Sequence, residues 1–310
     1  IIVDLGGASG GNTDVLIVSG SADATAANIV SFTANGSTKN TSSGTVTLTA
    51  KASTNATINL SASASGAYAI NGNSGQDIIT GGSGNDTLKG EGANDTIKGE
   101  GGNDIITGGT GDDIITGGSG NDTFNVNSGI DAITDLSDGD ILKITAGCTA
   151  NATGITAFTA TSASINNSDE NKGNLTAASG GATIDLGLIA SGNGFTVTGG
   201  AGADTLKGSS GNDIILGGND SDTLQGNGGN DSLTGGGGND TMTGNAGADT
   251  FNVDSGTDTI VDLTTNDILV VTGSATANAT GITGFVATSG TKNTSSGAAN
   301  LSGANTNITI

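Results

Sequence analysis

Histidine, arginine, proline and tryptophan are absent from the 310 residues, and cysteine occurs once, as Cys148. Without His, and with a single Cys, the usual general bases, nucleophile–base pairs and zinc or copper ligands are missing, so no enzymatic role is expected. The eight basic residues are all Lys, and a formal charge of -22 would repel a phosphate backbone, which argues against a nucleic-acid partner. Aromatics make up 2% of the chain, too little for stacking platforms or a large aromatic core. No apolar run approaches the length of about 18 residues that reads as a membrane span. Neither an initiator Met nor a secretory leader is visible at Ile1.

What is present is equally lopsided. Gly occurs 57 times, and all but three of the 30 acids (Glu91, Glu100 and Glu170) are Asp. Low apolar content with high net charge ordinarily predicts disorder. The order of the residues predicts otherwise.

Asp falls at every ninth position from Asp77 to Asp140, and again from Asp204 to Asp267. Two residues after each stands an apolar side chain: Ile79, Leu88, Ile97, Ile106 and onward to Leu142, then Leu206, Ile215, Leu224, Leu233 and onward to Leu269. A longer period lies above the short one. "TANATGIT" at 149–156 returns at 276–283, "TKNTSSG" at 38–44 returns at 291–297, and Phe32, Phe158 and Phe285 are equivalent. The chain therefore divides into the tail of an Asp ladder (1–14), a Thr/Ser-rich β segment (15–71), a ladder (72–143), a Thr/Ala-rich β segment (144–198), a second ladder (199–270) and a truncated Thr/Ala-rich segment (271–310). It opens and closes inside a repeat, which reads as a piece of a longer array.

The nine-residue unit, as in "GGSGNDTLK" at 81–89 or "GGGGNDTMT" at 235–243, holds six turn-like residues and three strand-like ones. Gly supplies positive φ and close backbone approach, and the short strand points one side chain inward. Nine residues bury nothing alone; stacked, their Ile and Leu form a thin continuous core. Carboxylates stacked about 5 Å apart would repel one another unless cations lay between them. Oxygen ligands without nitrogen or sulfur select Ca²⁺.

These nonapeptides resemble the GGxGxDxUx repeats of the RTX family, a calcium-binding motif. The block endings "GNDTFNVNSGIDAITDLSDGDIL" (120–142) and "GADTFNVDSGTDTIVDLTTNDIL" (247–269) are also similar to the closing segments of such blocks. The resemblance implies an all-β fold, a parallel β-roll or β-solenoid with two nonapeptides per coil. It further implies that each Ca²⁺ lies between loops 18 residues apart, held by two Asp carboxylates and backbone carbonyls.

Carried onto this sequence, one site uses Asn73, Gly75 and Asp77 with Gly90, Gly92 and Asp95. The next uses Gly82, Gly84 and Asp86 with Gly99, Gly101 and Asp104. The first ladder continues through Gly108, Thr110 and Asp113, then Gly117, Ser119 and Asp122, then Asp131 and Asp140. In the second, the positions are Gly200, Gly202 and Asp204; Ser209, Gly211 and Asp213; Gly217, Asn219 and Asp222; Gly226, Gly228 and Asp231. They end with Gly235, Gly237 and Asp240, Gly244, Ala246 and Asp249, then Ser255, Asp258 and Asp267; one site of this block sets Gly236, Gly238 and Asp240 against Val253, Ser255 and Asp258. Ala93 and Asp220 replace a Gly expected at positive φ; Asp tolerates that geometry better, so the loop at Ala93 is the weaker one. Glu91, Glu100, Asn227 and Asn245 replace the second Gly, where a carbonyl would be the ligand. The positions at Asp140 and Asp267 lie in degenerate closing segments.

Roughly ten Ca²⁺ would bring about +20 and nearly cancel the formal charge. The intervening segments keep strand-like patches such as "TVTLTA" (45–50) and "FTVTG" (195–199), read either as metal-free solenoid or as a small capping β-layer. Cys148, Tyr68 and the exterior Lys89, Lys98 and Lys207 read as packing or solubilising residues.

The expected function is a non-catalytic structural protein at the cell surface or outside the cell: a subunit of a surface layer, sheath, filament or matrix that self-associates into a polymer or lattice. The resemblance implies export through a type I route with a C-terminal signal outside this chain, and attachment to a cell through regions not in it. The alternatives are a spacer of a giant adhesin and the calcium-binding tail of a secreted toxin or enzyme. A further reading, ice or surface binding, requires Thr aligned on one flat face.

Overall fold

The computed structural model describes residues 16–303, apart from 22, 64, 65, 170, 171, 283, 284 and 288. The ladder remnant expected at 1–14 lies outside the described residues. Among these, the regular elements are all strands, and no helix is long and apolar enough to cross a membrane. The chain forms two compact units, Ile1–Asn151 and Ala152–Ile310.

In the first unit the chain winds as a parallel β-solenoid. Each nonapeptide lays one short strand on one of two sheets, and the next lays its strand on the other, so a coil closes after two. Thr96–Gly101 therefore pairs with Ile78–Thr80 on one side and Ile114–Ser119 on the other, bringing Ile97 level with Ile79 and Ile115. On the opposite sheet Ile105–Thr110 lies between Thr87–Gly92 and Thr123–Val126, with Ile106 level with Leu88 and Phe124. Two facing columns result, one of Ile79, Ile97, Ile115 and Ile133, the other of Leu88, Ile106, Phe124 and Leu142; each residue is at most 1% exposed. Strand alternation places these side chains inward and their neighbours outward.

The second unit repeats the arrangement. Ile215, Leu233, Phe251 and Leu269 form one column, and Leu206, Leu224, Met242 and Ile260 the other.

The Thr-rich segments are coils too, and the capping-layer reading is set aside. Val46–Ala50 pairs in parallel with Ala24–Ile29 and with Ala69–Asn71, and the last of these pairs with the first full ladder strand. Gly173–Ala177 likewise pairs with Phe195–Gly200, which pairs with Ile214–Gly218. The difference is length. A ladder coil returns after 18 residues, as Asp77 and Asp95 do. A spacer coil takes 22 between Thr45 and Asp23, and more where Ser31 pairs with Thr57. Without the nonapeptide's glycine turns, the segments need longer loops to reverse the chain.

On the outer face of one sheet in the second unit, Thr183, Thr205, Thr223, Thr241 and Thr259 stand in register. The adjoining outward row is mixed, running Asp185, Lys207, Gln225 and Thr243, and Lys207 Nζ lies 2.8 Å from Asp185 Oδ2.

Candidate metal centre

Asp and the apolar residue two places later share one face of the chain, so the alternation that buries Ile97 also buries Asp95. Each ladder Asp, from Asp77 to Asp140 and from Asp204 to Asp267, is at most 2% exposed. A buried carboxylate must find donors or a counter-charge, because an isolated buried ion is very costly.

One oxygen of each finds a donor in the preceding coil. Asp95 Oδ1 accepts the backbone N–H of Asp77 at 2.7 Å, Asp113 that of Asp95 at 2.8 Å, and Asp131 that of Asp113 at 3.1 Å. A parallel row runs from Asp86 through Asp104 and Asp122 to Asp140, at 2.6–2.8 Å. Both rows recur in the second unit, through Asp204, Asp222, Asp240 and Asp258 and through Asp213, Asp231, Asp249 and Asp267.

The other oxygen is left over. The Oδ2 atoms of Asp77, Asp95, Asp104, Asp113 and Asp131 are buried without a hydrogen-bond partner, as are those of Asp204, Asp222, Asp231, Asp240 and Asp258. Eight of these ten belong to a loop whose glycine, five residues before the Asp, leaves space beside it; before Asp131 and Asp258 that place is held by Val126 and Val253. A Cβ on Gly217 would stand 2.5 Å from both Asp222 Oδ2 and the Gly235 carbonyl oxygen. Those two oxygens thus lie close enough for one cation at 2.3–2.6 Å to touch both. Asp77 Oδ2 converges in the same way with the Gly90 carbonyl, Asp95 with Gly108, Asp104 with Gly117, and Asp231 with Gly244.

The carboxylates register this enclosure as proton affinity. Burial, the leading cause in every case, pushes Asp95, Asp104, Asp131 and Asp258 up to about 7 and Asp231 up to about 8. Neighbouring rungs add repulsion, as Asp113 and Asp77 do at Asp95 and as Asp213 and Asp249 do at Asp231. Backbone donors offset only part of this. Near neutral pH the ladder lacks positive charge, and the nearest remedy is a divalent cation.

The expected ligands fall into distinct places. Gly90, Gly99, Gly108, Gly117, Gly217, Gly226, Gly235 and Gly244 bring a carbonyl or an open Cα beside a carboxylate oxygen. Asn73, Gly82, Gly200 and Ser209 turn their carbonyls toward the next coil, accepting the N–H groups of Gly92, Gly101, Asn219 and Gly228 at 2.6–3.2 Å. Gly75, Gly84, Gly202 and Gly211 pack against backbone of the preceding coil. Thr110 and Ser119 direct hydroxyls to the carbonyls of Glu91 and Glu100 at 3.4 Å. Gly237 donates its N–H to the Gly218 carbonyl, and Ala246 lies level with Gly228 at a strand end. Ser255 follows the strand ending at buried Val253, in the loop leading to Asp258.

Ala93 and Asp220 both take φ +72, so the loop at Ala93 forms as its neighbours do. Glu91, Glu100, Asn227 and Asn245 are at φ +67 to +78, which makes the second Gly position left-handed as well and not merely a source of a carbonyl.

Three features escaped the sequence reading. The glycines five residues before Asp77, Asp86, Asp204 and Asp213, namely Gly72, Gly81, Gly199 and Gly208, abut carboxylate oxygens; their invariable offset was the available signal. Where an Asn precedes the Asp, a second, exposed ladder forms: Asn85 Oδ1 accepts the N–H of Asn103 at 2.8 Å, and Asn103 Oδ1 that of Asn121 at 2.9 Å. Asp135 and Asp262, in equivalent positions of the two closing segments, each hold two successive loop N–H groups. Asp135 takes those of Gly117 and Gly118 at 2.8 and 2.7 Å; Asp262 takes those of Gly244 and Asn245 at 2.9 and 2.7 Å.

The donor set fits a hard divalent ion. No cluster of three or more His, Cys, Asp or Glu side chains occurs among the described residues, so carboxylates must be complemented by backbone carbonyls. That combination suits calcium's tolerance of irregular oxygen shells. The family model of the RTX calcium-binding nonapeptide repeat matches four stretches, residues 71–106, 98–133, 196–224 and 225–260. No curated protein is significantly similar to the chain.

Proposed function

We propose that this chain, whose two Asp ladders are RTX calcium-binding repeats, is a non-catalytic structural protein that works outside the cell as a subunit of a surface layer, sheath, filament or matrix. The observation that carries the reading is the row of buried carboxylate oxygens without partners, repeated at equivalent places in both units. Such a row is a liability where free calcium is scarce. In surroundings where the ion is millimolar, even weak sites fill, and filling them stabilises the fold. A bound ion would supply the missing positive charge, and Asp95, Asp113 and their counterparts, with the glycine carbonyls, would hold it. A protein of this kind stays unfolded where calcium is low and becomes rigid on export.

The construction of the units supports a repeating assembly. Asp135 and Asp262 hold the same pair of N–H groups, and the two plaits of strands follow one plan. The second reading, a spacer in a long adhesin, draws on that same repetition and differs only in whether copies associate. Electron microscopy of purified protein with calcium and with chelator separates the two. Ordered polymers or sheets that disappear in chelator support the structural subunit; monodisperse single particles at high protein and calcium concentration overturn it in favour of the spacer.

A further inference from the structure

Not every carboxylate in the two rows is open, and the exceptions follow a rule. Asp86 Oδ2 accepts the N–H of Gly82 at 2.7 Å. Its counterpart in the second unit, Asp213 Oδ2, accepts both the N–H and the hydroxyl of Ser209, at 2.6 and 3.1 Å. Asp140 Oδ2 accepts the N–H and the hydroxyl of Ser137 at 2.8 and 3.2 Å. Asp267 Oδ2 does the same with Thr264, at 2.6 and 2.9 Å. These four are the first and last members of one row in each unit. The other row, from Asp77 to Asp131 and from Asp204 to Asp258, has every Oδ2 without a partner.

The backbone explains the first pair. In the open loops the second residue of the nonapeptide is left-handed, as at Glu91, Glu100, Gly109 and Asn227. Gly82 and Ser209 occupy that same position without positive φ, and there the N–H points at the carboxylate of its own loop. The second pair has a different cause. The closing segments carry Ser137 or Thr264 three residues before the Asp, and the hydroxyl and N–H fold back onto it as a local side-chain turn. A donor hydrogen on Oδ2 occupies one of the lone-pair sites a cation could use and presents positive charge toward it, which disfavours an ion there.

We infer that the two calcium rows of each unit are unequal: the row through Asp77 and Asp204 takes ions along its whole length, whereas the row through Asp86 and Asp213 is closed at both ends by the protein's own donors, leaving Asp86, Asp140, Asp213 and Asp267 free of metal. The four closed carboxylates act as end-stops that keep the terminal rungs compact without an ion. This inference rests on the calcium reading of the ladders and concerns which rungs are filled.

The test is an ion count at saturating calcium, by equilibrium dialysis with elemental analysis, on the wild-type chain and two double variants. Asp86→Asn with Asp213→Asn should retain the wild-type number of ions, while Asp95→Asn with Asp222→Asn should lose at least two. Equal losses from the two variants overturn the inference and leave the calcium reading standing; a wild type that binds no calcium overturns both. Should either variant fail to fold, anomalous diffraction from calcium-grown crystals of the wild type reads the same question. Peaks beside Asp95 and Asp222 with none on Oδ2 of the four closed residues support the inference, and a peak on any of those four overturns it.

Discussion

The backbone N–H of Asp95 donates to Oδ1 of Asp113, 18 residues further along, at 2.8 Å, while Asp95 Oδ1 itself accepts the N–H of Asp77 at 2.7 Å. Each inner ladder Asp thus joins its coil to both neighbours, once through its main chain and once through its side chain, whereas Asp140 and Asp267 at the ends donate their N–H to Ser137 and Thr264 of their own segments. Charge and hydrogen bonding can therefore be separated by substitution. Asp113→Asn keeps an acceptor for the Asp95 N–H but removes the charge, so it should weaken calcium binding with little other loss. Asp113→Ala also strands a buried donor, which costs about 1–3 kcal/mol more. Urea unfolding in calcium should rank wild type above Asn above Ala; equal stabilities of the two variants would contradict the bond's role.

Acidity should substitute in part for the metal. The folded carboxylates at Asp95, Asp104, Asp131 and Asp258 are raised to about 7, and Asp86, Asp122 and Asp249 to about 6, above the ordinary value of 3.8. The fold then binds more protons than the unfolded chain between those limits, so its stability falls as pH rises. Metal-free protein should be most stable below about pH 4 and lose structure as pH climbs through 6–8. Calcium-loaded protein should show the reverse trend, since protons displace the ion as pH falls through that window. Circular dichroism against pH, with and without calcium, reads both limbs; parallel curves would refute the linkage.

Ala93 sits at φ +72, a conformation costing about 1–2 kcal/mol for a residue with a Cβ. Ala93→Gly should relieve most of that, offset by the greater freedom of glycine in the unfolded chain, for a net gain of about 0.5–1 kcal/mol. A higher denaturation midpoint at fixed calcium is the expected result. A lower one would mean that the loop draws on the methyl group.

Asp135 holds the N–H groups of both Gly117 and Gly118. Asp135→Ala should remove two bonds at the last glycine turn of the first ladder, both open in part to water, costing about 1 kcal/mol and speeding amide exchange at those two glycines. Asp262→Ala should do the same at Gly244 and Asn245. Unchanged exchange at these amides would show that other groups secure the turn.

The parts of this fold written in period were legible in advance. The nine-residue interval between Asp86 and Asp95, with Leu88 and Ile97 two places on, predicts stacked short strands with carboxylate and aliphatic on the same face, and the RTX resemblance implies two such strands per coil. What the period leaves out is backbone conformation. Glu91 and Glu100 stand where Gly would, and their type gives no hint of φ +77 and +78; neighbouring coils impose it. The closure of Asp213 by Ser209 depends on the same torsion, so equivalent letters in the repeat hide unlike chemistry. In the Thr-rich segments the inner residues still alternate, as Val46, Leu48 and Ala50 do. Their loops lack a fixed length, so coil closure there could be read only from the pairing of Ser31 with Thr57 and of Val46 with Ala24.

Because neighbouring strands are bonded side by side, from Ile79 to Ile97 to Ile115, the hydrogen bonds of each unit lie along its winding axis. Tension applied along that direction loads them like the teeth of a zip, a few at a time, instead of all together as in a shear geometry. One freed coil of 18 residues lengthens the chain by about 60 Å, at roughly 3.3–3.6 Å per residue. Ladder coils pulled this way would yield in steps of one length and the Thr-rich coils in longer ones, and ions held between rungs would raise the force at which the ladder coils give way.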